Sequence, residues 1–148
     1  MPSLLYNKKV SLKYAIIETF PAGMELFGFE VKSLRKKQGS LDGAHVIIRG
    51  NEAYLVGALI PPHQIKNAPQ DYDPRRTRRL LLTAREISRL AGFEKQKGLT
   101  IVPISVYSKG RYLKMEIAAV RGKQKHDKRE TLKERTAKRE MERTLKNQ

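Results

Sequence analysis

The residues in this chain best suited to chemistry are cations in short runs. Asp73-Pro74-Arg75-Arg76-Thr77-Arg78-Arg79 carries four arginines in five positions. Neighbouring guanidinium groups repel one another, so such a run is not expected from folding alone. Arginine's planar fork takes phosphate oxygens two at a time, and its face stacks on unpaired bases. Asp73 could do no more than tether one of them. Asn7-Lys8-Lys9 precedes the first apolar run and offers a polar, cationic arm, although terminal lysines are equally the mark of a solvated end. On a helix Lys32 and Arg35 share one face while Val31 and Leu34 turn to the core, which could present a face to phosphates. From spacing alone, an ordinary amphipathic surface helix is the better explanation of that pattern.

Groups suited to catalysis lack partners at useful spacing. His45, His63 and His126 lie in separate segments without metal-ligand spacing, and the glycines match no phosphate-loop or dinucleotide fingerprint. Most carboxylates stand beside basic residues as ion-pair partners. The expectation is a protein that is not an enzyme and takes no cofactor or metal.

Charge agrees with the runs. The chain has 31 Lys plus Arg against 15 Asp plus Glu, a net charge of +16 and a pI near 10.3. This predicts attraction to nucleic acid or an anionic membrane and says nothing of fold. Membrane is the weaker reading, because no apolar run approaches the roughly 20 residues of a spanning helix. The start, Met1 to Val10, lacks an apolar leader core, and there are no cysteines for disulfides or thiolate metal sites. A cytoplasmic, nucleic-acid-facing protein is expected.

The elements that must position these residues follow from apolar patterning. Residues 1–121 read as one domain and 122–148 as a basic tail. Tyr14 to Phe20 reads as a strand, ended by a turn at Pro21-Ala22-Gly23, with extended structure from Met24 to Phe27. A short helix is expected near Gly28 to Lys36. His45 to Arg49 and Ala53 to Ala58 suggest a hairpin whose turn cannot be typed. Prolines 61, 62, 69 and 74 mark a loop. Leu80, Leu81 and Leu82 with Ile87, Leu90 and Phe93 give helical spacings, and Thr83 with Glu86 resembles a capping box. Leu99 to Tyr107 and Tyr112 to Val120 form the clearest hairpin, in which Pro103 demands an edge or a bulge. The fold class is mainly β: a small, closed or partly closed antiparallel barrel with external helices.

The tail, Gly122 to Gln148, holds ten Lys or Arg against five Asp or Glu and few large apolar side chains. It cannot build a core. Asp127 with Glu130 offers a capping box, and Glu134–Lys138 and Glu142–Lys146 are well-oriented helical pairs. The expectation is disorder in the free protein and a helix when bound.

In four ordered motifs the chain resembles the SsrA-binding protein family, or small protein B, of bacterial ribosome rescue. They are Asn7-Lys8-Lys9; Ala22-Gly23 leading into Gly28-Phe29-Glu30-Val31-Lys32-Ser33-Leu34-Arg35; Asp73 through Leu82; and Arg121-Gly122-Lys123 with His126-Asp127-Lys128-Arg129. The resemblance implies an OB-like barrel that binds the tRNA-like domain of transfer-messenger RNA, working as a monomer. It also implies delivery of that alanylated RNA, with elongation factor Tu and GTP, to ribosomes stalled without a codon. Carried over by position, Asn7, Leu81 and Lys114 belong to the RNA-binding surface, flanked by Lys8, Lys9, Lys32, Arg35, Arg75 and Arg78. By the same match the tail enters the vacant mRNA channel near the decoding centre and becomes helical there. Gly122 is then a hinge beside Lys123, His126 stacks on a decoding-centre base, Lys128 and Arg129 neutralise 16S rRNA phosphates, and Asp127 caps the induced helix. The chain departs from the family at Pro21, where a Glu that contributes to RNA binding is usual and for which Glu18 could substitute. Leu12, Lys13, Phe29 and Thr83 also differ. The alternative reading is a structural ribosomal protein or a general RNA chaperone.

Overall fold

The computed structural model describes residues 3–64, 66 and 68–123. Seven strands and three helices follow in the order β1 (Ser3–Tyr6), α1 (Val10–Lys13), β2 (Tyr14–Met24), α2 (Gly28–Arg35), β3 (His45–Arg49), β4 (Glu52–Val56), β5 (Arg78–Leu81), α3 (Ala84–Glu94), β6 (Leu99–Lys109) and β7 (Tyr112–Gly122). The expected tail conformations, disordered when free and helical when bound, lie outside the described residues, as do His126, Asp127, Lys128 and Arg129.

All pairings are antiparallel, in the order β1-β6-β3-β4-β5-β2-β7 with β7 returning to β6, so the sheet closes on itself as the mainly β, barrel-like expectation requires. Closure leaves β1, which pairs with β6 alone, as the strand with an unpaired edge. The β6–β7 hairpin runs from Leu99↔Arg121 to Lys109↔Tyr112, and β2 then covers the other side of β7 from Tyr14↔Gly122 to Gly23↔Lys114. On its edge opposite β7, β6 holds β3 at Ile101 and β1 from Ser105 to Tyr107, one after the other. Between those two partners the register shifts at Pro103/Ser105. The proline therefore marks a bulge, not an edge, as its missing N–H allows. β7 runs through Gly122, and the Lys123 N–H donates to Lys13 O at 2.8 Å.

Inside the ring Phe20, Ala22, Leu34, Val46, Leu55, Leu80, Leu90, Ile101, Met115 and Ile117 form the core. A second cluster, Val10, Val102, Ile104, Ala118 and Val120 with Tyr14 against it, lies on the outer face of the hairpin. The outer face of β7 thus divides along its length. Ala118 and Val120 are roofed by Val10 and Tyr14, whereas Tyr112, Lys114 and Glu116, on the same face by the two-residue period of a strand, are not buried.

Two local expectations are corrected. β2 is continuous through Pro21-Ala22-Gly23, because Ala22 is fully buried and all three residues pair with β7, so no turn forms there. Leu80 and Leu81 are in strand β5, not on a helical face, since tertiary pairing to β2 and β4 overrides the local spacing. The capping box is as read: Glu86 N donates to Thr83 Oγ1 at 3.2 Å and Thr83 N to Glu86 Oε1 at 3.0 Å, starting α3 at Ala84. The β3–β4 turn has φ values of 56° at Gly50 and 63° at Asn51, the two left-handed residues of a type I′ hairpin.

The cap gives a stability test. Thr83→Ala should lower unfolding free energy by about 1 kcal/mol, read from denaturant midpoints, because it leaves a first-turn N–H without its acceptor.

Candidate nucleic-acid interface

The arginine run divides by register. Arg78 on β5 points inward and is fully buried, whereas Arg79 beside it points outward and is exposed. The acid that receives Arg78 is Glu30, in the first turn of α2 and also fully buried. Arg78 Nε and Nη2 donate to Glu30 Oε2 at 3.0 and 2.7 Å, Nη1 donates to Ala58 O at 2.7 Å, and Nη2 also meets Pro74 O at 2.9 Å. Arg76 adds Nη2 to Oε1 at 2.6 Å and Nε to Oε2 at 3.2 Å while its guanidinium lies 4.3 Å from the centre of the Phe27 ring. Phe27 N donates to Oε1 at 2.8 Å, satisfying an orphan donor at the helix start. The Tyr72 hydroxyl accepts from Arg78 Nη2 at 3.0 Å and shares its one proton between Glu30 Oε2 at 2.9 Å and Ile60 O at 2.7 Å.

Burial by itself would raise the Glu30 pKa, but the bonds from Arg76, Phe27 N, Arg78 and Tyr72 outweigh it and hold the carboxyl below the usual 4.5. Burial, then the hydrogen bond and charge of Glu30, push the Tyr72 hydroxyl up to about 12.

This corrects the expectation that Arg78 sits on the RNA-facing surface. A guanidinium making five hydrogen bonds inside the protein is a tie between β5, α2 and the 57–77 segment, and its removal from water is tolerable only with such partners. The sequence argument erred by treating neighbours in the run as neighbours in space. Arg75 remains exposed, with its N–H on Asp73 Oδ1 at 2.9 Å and Nη1 on Gly57 O at 3.2 Å.

Asn7 is also corrected. It is buried, its N–H donating to Ile104 O at 2.8 Å and its Nδ2 to Pro103 O at 3.1 Å and Leu41 O at 3.4 Å. Its amide satisfies carbonyls laid bare by the β6 bulge, which leaves that donor nothing to offer a ribose or phosphate. Lys8 is exposed beside it, and Lys9 pairs with Asp42 at 3.1 Å.

Leu81 and Lys114, in contrast, come together. Cross-strand pairs Tyr107↔Lys114, Lys114↔Gly23 and Gly23↔Leu81 form one row over β6, β7, β2 and β5 on the outer face. Gly23 makes the row compact: a Cβ there would stand 3.2 Å from Leu81 Cβ. Leu81 is 46% exposed and, with Pro21, Leu82, Thr83, Tyr107, Lys109 and Lys114, lines a groove of about 420 Å³. Glu86 supplies its carboxylate, whereas Glu18 pairs with Arg89 at 2.6 Å. An apolar floor with two lysines and a tyrosine at its side suits stacked bases flanked by phosphates. Lys32 and Arg35 are exposed on α2, Arg35 reaching the β6–β7 turn at Arg111 O, 2.8 Å away. Asn7 to Lys9 line a different groove and share no residue with this one.

At the tail junction Gly122 is exposed at the end of β7, and Lys123 Nζ donates to Ser11 O at 2.7 Å. Sequence reasoning placed Glu30 in the α2 motif without giving it a partner, and it did not single out Tyr72, which stands between Asp71 and Asp73. It also passed over Tyr107 and Lys109, although both share the alternation of Lys114 and its hairpin partner.

Comparison with known proteins bears on this surface. A family model for the SmpB protein matches residues 4–147. The chain belongs to the SmpB family. It is 44% identical over 140 residues to an SsrA-binding protein of Gloeothece citriformis, covering 95% of this chain and 90% of that protein. An SsrA-binding protein of Elusimicrobium minutum is 45% identical over 141 residues, covering 95% of this chain and 89% of that one. A solved SmpB structure, described as "tmRNA-SmpB: a journey to the center of the bacterial ribosome", superposes with a TM-score of 0.69 at 39% identity, covering 86% of this chain and 93% of that chain. The fold is therefore shared with that structure over 86% of this chain.

The two neighbouring arginines make opposite predictions. Arg78→Met strands the buried Glu30 carboxylate and should cost about 3–5 kcal/mol of stability. Arg79→Met, which breaks exposed pairs with Glu25 and Glu52, should cost less than about 1 kcal/mol. Glu30 also makes acid stability measurable. Because its folded pKa lies below 4.5, its contribution is complete above that value and is lost as pH falls through the folded pKa. The stability gap between wild type and Glu30→Gln, followed by urea titration, should therefore shrink on acidification.

Proposed function

We propose that this chain is an RNA-binding adaptor of trans-translation. It binds the tRNA-like domain of transfer-messenger RNA through the Leu81–Lys114 groove and accompanies that RNA to stalled ribosomes in the bacterial cytoplasm. The observation that carries the reading is the groove itself, an apolar floor edged by Lys109 and Lys114 on a strongly basic barrel of the SmpB family. The protein's part is recognition and positioning. It holds the RNA in a form that elongation factor Tu with GTP can deliver, and it catalyses no step itself.

The tail would act separately, with Lys123, His126, Asp127, Lys128 and Arg129 meeting 16S rRNA at the decoding centre and along the empty mRNA channel. Gly122, exposed where β7 ends, gives the chain a residue without a side chain at which to change direction. Asn7 and Arg78 support the RNA surface from within by fixing β1, β5 and α2, while Lys8, Lys9, Lys32, Arg35 and Arg75 add positive potential around the barrel.

Competition at fixed salt tests the adaptor reading. The tRNA-like domain should displace an unrelated hairpin RNA of equal length at much lower concentration; equal competition would instead identify a general RNA chaperone. Lys114→Met should reduce the slope of log affinity against log salt by about 1 without moving the melting temperature. Removing residues 124–148 should leave affinity for the tRNA-like domain near wild type and abolish peptide tagging on stalled ribosomes. Joint loss of both activities would refute two separate surfaces.

A further inference from the structure

The positive charges of the barrel are unevenly compensated. Among the described residues, ion pairs hold Lys9, Arg49, Arg76, Arg78, Arg79 and Arg89. Lys32, Arg35, Lys36, Lys37, Lys109 and Arg111 take part in none of them. These six gather where the C-terminal end of α2 meets the tip of the β6–β7 hairpin, because Arg35 Nη2 donates to Arg111 O at 2.8 Å and Nη1 to Ser108 Oγ at 3.4 Å. A specific contact therefore holds like charges close together.

The end of α2 carries a second sign of this. Lys37 N donates to Leu34 O at 2.9 Å and Gln38 N to Ser33 O at 2.9 Å, the paired bonds of a Schellman ending, with Lys37 at φ 62°. Glycine is the usual residue there, and a side-chain-bearing residue in left-handed backbone costs about 1 kcal/mol or more. The helix dipole favours a cation in the last turn, but Arg35 already provides one, so the dipole does not call for lysine in the strained position.

Tyr112 stands beside this cluster. It is 74% exposed, more than any other large apolar side chain among the described residues. Its cross-strand partner is Lys109, and it lies two residues from Lys114 on the same strand face. The ring thus continues the groove row at its outer end instead of packing on the barrel. An aromatic ring largely open to solvent, set among cations that take part in no ion pair among the described residues, is the arrangement by which proteins hold single-stranded nucleic acid.

We propose that the hairpin tip and the end of α2 form a second RNA contact on the barrel, where Tyr112 stacks on an unpaired base and Arg111, Lys36 and Lys37 hold the flanking phosphates. This rests on the RNA-binding reading and extends it beyond the groove. The shared chemistry is an unpaired nucleotide in structured RNA, whether of the tRNA-like domain or of the small ribosomal subunit.

The full chain contains no tryptophan, so Tyr112→Trp places a single reporter at the site. Its emission should be quenched by saturating tRNA-like domain or by small ribosomal subunits, and the arm that quenches identifies the source. Tyr112→Ala should weaken binding in that arm about 5- to 100-fold, while Tyr112→Phe stays near wild type. Arg111→Ala should lower the salt slope in the same arm by about 1. Unchanged emission in both arms, or wild-type affinity of Tyr112→Ala in both, overturns the stacking site. If Lys114→Met still weakens binding to the tRNA-like domain in that event, the adaptor reading stands without it. If the tRNA-like domain also shows no preference over unrelated RNA, that reading falls as well.

Discussion

The Glu30–Arg78 pair is the constraint on which the arrangement of this barrel's working surface depends. Both groups are fully buried, and each is tolerable there only because the other, with Arg76, Tyr72, Phe27 N and the carbonyls of Ala58 and Pro74, satisfies its hydrogen-bonding groups. Exchanging such a buried pair for apolar residues of the same shape is often neutral for stability, whereas removing one partner is costly. The pair's effect is to make wrong arrangements costly. Were α2 displaced, a carboxylate and a guanidinium would be left unpaired inside the protein. This fixes α2 against β5, and β5 is the strand that presents Leu81 on its other face.

The same economy of space appears along β6. One edge serves two short strands, β3 and β1, and the join between them falls at the Pro103 bulge, where a proline donates nothing and the ladder is already interrupted. Asn7 closes the gap by bonding two of the carbonyls left over. Buried polar groups need partners, and a polar residue at a strand entrance supplies one without adding another strand.

These ties sort the cations. Those facing inward or lying beside acids are held in ion pairs, Arg78 and Arg76 with Glu30 and the exposed Arg79 with Glu25 and Glu52, and those on the hairpin and the end of α2 take part in no ion pair among the described residues. A basic composition therefore does not translate evenly into a binding surface. The groove and the hairpin tip lie on the uncompensated part, continuous along one face of β6 and β7, while the roofed half of that face is apolar and closed by Val10 and Tyr14.

What the sequence by itself determined is whatever local spacing can carry: the β6–β7 hairpin from its alternation, the start of α3 from the Thr83–Glu86 box, α2 from its apolar face, and the polyanion-binding character from charge. Ordered motifs also disclosed the family, and with it the barrel. Only the tertiary structure decided that Pro21 to Gly23 continue a strand, that Leu81 belongs to β5, and that Arg78 and Asn7 are buried while Leu81 and Lys114 share a row. The physical reason is that a side chain's role depends on what lies opposite it. Arg78 and Arg79 have the same chemistry and adjacent positions, and the two-residue period of a strand sends one to Glu30 and the other to solvent. Glu30 lies 48 residues before Arg78, so no local pattern could pair them.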